Sequence, residues 1–64
     1  MDPTRRKNIE EGLHVSVVTK ADQGSGNLTE GIVERILTNR ADHPHGIKVR
    51  LVGGVVGRVK EIHE

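Results

Sequence analysis

Four cations stand between Gly46 and Lys60 with no acid among them: Lys48, Arg50, Arg58 and Lys60, set into the run G-I-K-V-R-L-V-G-G-V-V-G-R-V-K. Ile47, Val49 and Leu51 alternate with Lys48 and Arg50, the period of a strand with one buried face. Ammonium and guanidinium groups ranked on the other face suit phosphate oxygens, whose contacts position a nucleic acid without reading its sequence. A second segment, K-A-D-Q-G-S-G-N from Lys20 to Asn27, looks superficially like a phosphate loop. It lacks the G-K-[ST] ending and the strand-helix unit of a nucleotide triphosphate site. Lys20, Gln23 and the loop amides remain suited to phosphate or 2′-hydroxyl contacts beside the basic strands.

The other chemistry-bearing group is His43-Pro44-His45. Zinc needs three or four convergent ligands, and no second motif with ligand spacing accompanies this pair, so no metal site is expected. Acid-base work by His43 with Asp42 or Asp22 lacks a nucleophile elbow or a carboxylate pair to act with. The sequence thus predicts no catalytic residues, no cofactor and no enzyme. The expected nucleic-acid contacts are Lys20, Gln23, His43, His45, Lys48, Arg50, Arg58 and Lys60.

Composition narrows the partner further. The chain has 64 residues, one domain near the lower size limit for folding without staples. It has no Cys, Phe, Trp or Tyr. Disulfides and thiolate metal sites are therefore out, as are aromatic cages, aromatic grooves for Pro-rich peptides and aromatic platforms for bases. Ten Lys and Arg against nine Asp and Glu leave a net charge of +1, so attraction for an anion depends on local placement. The opening M-D-P-T-R-R-K-N has no apolar signal region, and no apolar stretch is long enough to span a membrane. The expectation is a soluble, cytoplasmic protein.

These residues need elements to hold them. Residues 1–8, with Arg5-Arg6-Lys7, show no periodicity and read as a flexible basic arm; residues 9–64 read as one domain. Strands are expected near 13–19, 28–38, 46–52 and 55–60, with a short turn at the end. The segment from Leu28 to Thr38 also fits an amphipathic helix by its i,i+4 apolar spacing. Gly31 in its middle and its β-branched content favour a strand, with a bulge setting Val33 and Ile36 on one side. A two-residue Gly53-Gly54 turn would pair Val49 with Arg58 and mix the two faces. An odd-numbered connection, a three-residue turn or a glycine bulge, is expected instead, keeping Val49 and Val59 inward and the four cations outward. Glycines before or within the strand runs, at Gly12, Gly31, Gly46 and Gly57, mark bends where a small sheet closes on itself.

With the elements laid out, a longer pattern stands clear: G-L-x-V-x-V-V-x-K-x-D-Q-x-x-G-x-L-T-x-G-I-V, then I-L-T-x-x-x-x-H-P-x-G-I-K-V-R-L, then G-x-V-G-R-V. It resembles the YwbE-like family of small uncharacterised prokaryotic proteins from Gly12 to about Ile62. The resemblance implies an SH3-like barrel related to KOW-type modules, many of which bind RNA or the ribosomal and transcription machinery. The expected fold is therefore all-β, a small SH3-like (KOW-type) barrel of four to five short antiparallel strands. The expected function is a binding module for RNA or an RNA-protein assembly, acting through a basic hairpin face. The alternative is a protein-interaction or self-association module that pairs an edge strand or buries Val18, Val52 or Val55 against a partner.

Overall fold

Val15 and Val17 point inward from strand β1 (His14–Val18), and the ladders on either side of them organise the molecule. β2 runs over Thr29–Ile36, β3 over Lys48–Leu51 and β4 over Val56–His63. The computed structural model describes residues 1–63; Glu64, last residue of the expected domain, lies outside them. The four strands form a closed antiparallel barrel in the order β1-β2-β3-β4, with β4 returning to β1. The all-β expectation is met, and the architecture is consistent with a small SH3-like barrel. Every strand has two neighbours, with β2 and β4 each passing from one neighbour to the other along their length.

Aliphatic side chains alone fill the interior. Val15, Val17, Val33, Ile47, Val49, Leu51 and Val59 are almost wholly buried, with Ile9 beside them. Two bulges make this possible. On β2, Val33 faces Leu51 while Arg35 faces Arg50, so Glu34 is an extra residue, and both Val33 and Ile36 turn toward the core. The twisted, bulged strand expected for this segment is what forms. On β4, Val59 pairs with Val17 but Glu61 pairs with Ser16, which leaves Lys60 as the extra residue. Without it the strict alternation would aim Glu61 inward; with it, Ile62 follows Val59 into the core. The strand therefore continues through His63, where the sequence suggested a final turn.

The β3–β4 hairpin settles the question of register. Lys48 pairs with Arg58, Val49 with Gly57 and Arg50 with Val56. The connection is odd-numbered as expected: Leu51 N–H donates to Val55 O at 2.7 Å, around Val52, Gly53 and Gly54. Gly57 and Gly31 sit within strands, where they let neighbouring strands approach. A Cβ on Gly57 would strike the Val18 carbonyl, and one on Gly31 would press on Leu51.

Residues 1–8, expected as a flexible arm, lie along the connection between β2 and β3. Arg6 N–H donates to Ala41 O at 2.9 Å, His43 N–H to Thr4 O at 2.9 Å, and Ile47 N–H to Pro3 O at 3.1 Å. The Arg6 side chain donates to Thr38 O at 2.9 Å. Asp2 accepts from both the hydroxyl and the N–H of Thr4, and these bonds hold its carboxyl below the usual range. Ile9, which follows directly, is a core residue that no local period announces. Among the described residues no helix is long and apolar enough to cross a membrane.

Candidate nucleic-acid interface

Arg58 pairs with Val18 on one side and with Lys48 on the other, so these three share a stretch of the barrel's outer face. The 19–28 connection folds over the same end of the barrel. Its shape comes from Asp22: the Thr19 hydroxyl donates to Oδ2 at 3.3 Å, the Ser25 hydroxyl contacts Oδ1 and the carbonyl, and Gly26 N–H donates to that carbonyl at 2.8 Å. Asp22 is occupied within its own turn, and Lys20 and Gln23 are left facing β4. Two adjoining clefts result. One, of about 340 Å³, is bounded by Lys20, Lys48 and Val56; the other, of about 480 Å³, by Gly26, Leu28, His45 and Lys60. Val18, Gln23 and Arg58 belong to both, and among the described residues no carboxylate lines either.

Backbone carbonyls orient two of the cations of this groove. Arg58 donates through Nη1 to Gly46 O at 3.1 Å, and Lys60 through Nζ to His45 O at 2.9 Å. A carbonyl fixes a cation without neutralising it, so both remain available to an anion. The β4 bulge is what places Lys60 here, a use of bulges common beside binding sites. Lys48 and Arg58 face each other directly, an arrangement mildly unfavourable in isolation and relieved by a bound anion.

His43 reports the same field. Partial desolvation first, and then the positive charge of Arg58 and Arg40 against the opposing Asp42, holds its pKa below the ordinary 6.5. Its Nδ1 accepts the His45 N–H at 3.2 Å, a bond that the neutral ring can make and the protonated ring cannot. The two rings lie 5.7 Å apart, across the rigid Pro44.

Of the eight residues singled out in the sequence, Lys20, Gln23, His45, Lys48, Arg58 and Lys60 meet around this groove. His43 adjoins it through His45 and Arg58. Arg50 stands apart: Nε donates to Glu34 Oε1 at 2.7 Å, across the β2 bulge. That exposed pair contributes little to stability, about 0–1 kcal/mol, but it cancels the charge Arg50 would offer. Val18, singled out in the sequence for a protein partner, forms the apolar floor here with Leu28, which escapes sequence reasoning because an aliphatic residue flanking a loop looks like core. Val18 is already buried, whereas Val52 and Val55 are exposed.

A second polar group occupies the opposite end of the β1 outer face. His14 Nε2 lies 2.6 Å from Glu30 Oε1, Ser16 Oγ lies 2.6 Å from His63 Nε2, and the two rings are 4.8 Å apart. Ser16 is buried, and its hydrogen bond ties the end of β4 to β1. No group of three or more His, Cys, Asp or Glu suited to a metal ion occurs among the described residues.

Residues 2–62 match the sequence model of a family described as "Uncharacterized conserved protein (DUF2196)". A curated relative, "Uncharacterized protein YwbE" of Bacillus subtilis (strain 168), is 52% identical over 62 residues, covering 97% of this chain and 95% of its own length. No solved structure matches.

Proposed function

Because the chain belongs to the DUF2196 family, whose description names no activity, we propose a function from its own geometry: a non-enzymatic module that binds RNA through the phosphate backbone. One observation carries the reading. Lys20, Lys48, Arg58 and Lys60 converge on adjoining clefts that no acid among the described residues lines, on a chain whose net charge is only +1. Charge on such a chain is otherwise balanced, so its concentration at one groove selects an anionic partner. The arrangement of Gln23 and the amides of the 19–28 loop beside these cations adds hydrogen bonding to phosphate or ribose. The SH3-like barrel fits this reading, and RNA in a ribonucleoprotein would meet the same groove.

The test is binding of a fluorescent single-stranded RNA as salt is raised. Four phosphate contacts on a single strand give a slope of about −3 in log affinity against log salt. Arg58→Glu and Lys48→Glu should abolish binding, while Arg50→Glu should weaken it far less, since Glu34 already neutralises Arg50. Absence of binding at low salt, or binding indifferent to salt, would refute the reading.

One observation favours the alternative of self-association or a protein partner. Ile32 and Val52 are neighbours through the Val52 N–H to Ile32 O bond and stand 41% and 64% exposed. A dimer detected by light scattering and lost in Val52→Asp would support it.

A further inference from the structure

We propose that the larger cleft is a nucleobase subsite, so that the ligand of the groove is unpaired, single-stranded RNA with one base turned inward. The inference rests on the phosphate reading above and goes beyond it. A site built for duplex backbone needs only a level array of cations. Here the cations border a concavity of about 480 Å³ with an aliphatic floor of Val18 and Leu28, within the size range of small-ligand sites. A phosphate has no use for that floor; a flat, weakly hydrated base does.

The walls carry what a base requires. Aromatic platforms are absent from this chain, yet a guanidinium plane also stacks on bases. The Arg58 plane is held in place by its bond to Gly46 O at 3.1 Å. Gln23 lines the cleft with an exposed amide that makes no hydrogen bond to another described residue. A carboxamide offers a donor and an acceptor side by side, the pattern that matches an adenine edge. Lys60, aimed by the β4 bulge and by His45 O, stands at the rim where the adjoining phosphate would lie. Base on the floor against the Arg58 plane, edge toward Gln23 and phosphate at Lys60 together give the apolar floor and these three polar side chains a use.

The experiment compares three probes on the intact protein by fluorescence anisotropy: a short single-stranded oligoadenylate, an abasic strand with the same backbone, and an RNA duplex of equal length. The single strand should bind about tenfold or more tighter than the abasic strand, the worth of one base contact. It should also exceed the duplex. Leu28→Ser, at an exposed position, should weaken the natural strand more than the abasic strand and so close that advantage. Gln23→Ala should narrow the preference for adenine over uracil. Methyl shifts of Val18 and Leu28 on adding AMP, but not ribose 5-phosphate, give an independent readout. Equal binding of abasic and natural strands overturns the base subsite and leaves the phosphate reading standing. Failure of every strand to bind at low salt overturns both.

Discussion

Replacing Gly46 with alanine should cost more than any other small change in the loop that borders the groove. Gly46 has φ +101°, a backbone region that a Cβ disfavours by about 1–2 kcal/mol. The added Cβ would also run into the carbonyl oxygen of Val59, whose carbonyl carbon is 3.3 Å away. That obstacle is backbone of β4, fixed in turn by Val59 N–H donating to Ile47 O at 2.9 Å. Moving it costs about 1–3 kcal/mol, the usual penalty of overpacking. The sum is about 2–5 kcal/mol, from which the stiffer unfolded chain subtracts at most about 1 kcal/mol. A protein of 64 residues has only about 3–10 kcal/mol in total, so Gly46→Ala should be severely destabilised or unfolded at room temperature. Two controls separate the contributions. Gly12 has φ +90° with nothing within 4 Å, so Gly12→Ala should lose only the conformational part. Gly24 has neither a positive φ nor a near neighbour, so Gly24→Ala should be neutral or slightly stabilising. Urea denaturation followed by far-UV circular dichroism gives all three values. If Gly46→Ala were no more costly than Gly12→Ala, the close approach of the 43–46 loop to β4 would be wrong, and with it the placement of His45 at the cleft.

Other substitutions test the core, the polar cluster and the electrostatics. Leu51→Ala and Val49→Ala remove fully buried side chains from a core without aromatics, and Leu51→Ala should cost about 2–5 kcal/mol by denaturant titration. Ser16→Ala removes the bond to His63, and a loss of about 1 kcal/mol with faster amide exchange at Glu61–His63 is expected; unchanged exchange would show that this bond does not hold the end of β4. His43 should titrate by NMR below 6.5 in the free protein. The unfolded chain then takes up its proton first as pH falls, so the contribution of His43 to stability is present above 6.5 and lost as pH falls from there through the folded-state pKa. Bound RNA should raise that pKa, because phosphate offsets Arg58 and Arg40, and a pKa insensitive to RNA would separate this loop from the interface.

Much of this protein was legible because two-residue periodicity is a local property. Alternation of Ile47, Val49 and Leu51 with Lys48 and Arg50 defined a strand and both of its faces, and the need to keep Val49 and Val59 inward required an odd-numbered turn, which Val52-Gly53-Gly54 provides. The β2 bulge followed from the same reasoning, since Val33 and Ile36 reach one side only if a residue is added between them. The same i,i+3 apolar spacing stands at Val59 and Ile62 around the Lys60 bulge, but the polar Lys60-Glu61 between them reads as the end of a strand. Ile9 is buried by residues distant in sequence, and its surroundings carry no period.

Sequence by itself determined the inventory: an aliphatic barrel, cations without aromatics, and loops rich in turn-forming residues, because composition and alternation are written along the chain. Only the tertiary structure decided which charges act together. Barrel closure set Val18 beside Arg58, and folding of the 19–28 loop brought Lys20 and Gln23 to Lys48 and Lys60. The β2 bulge gave Arg50 its partner in Glu34 and removed it from the group. Charge acts through distance in space, and distance in space between strands depends on how register, bulges and closure combine around the whole barrel, which no single stretch of sequence contains.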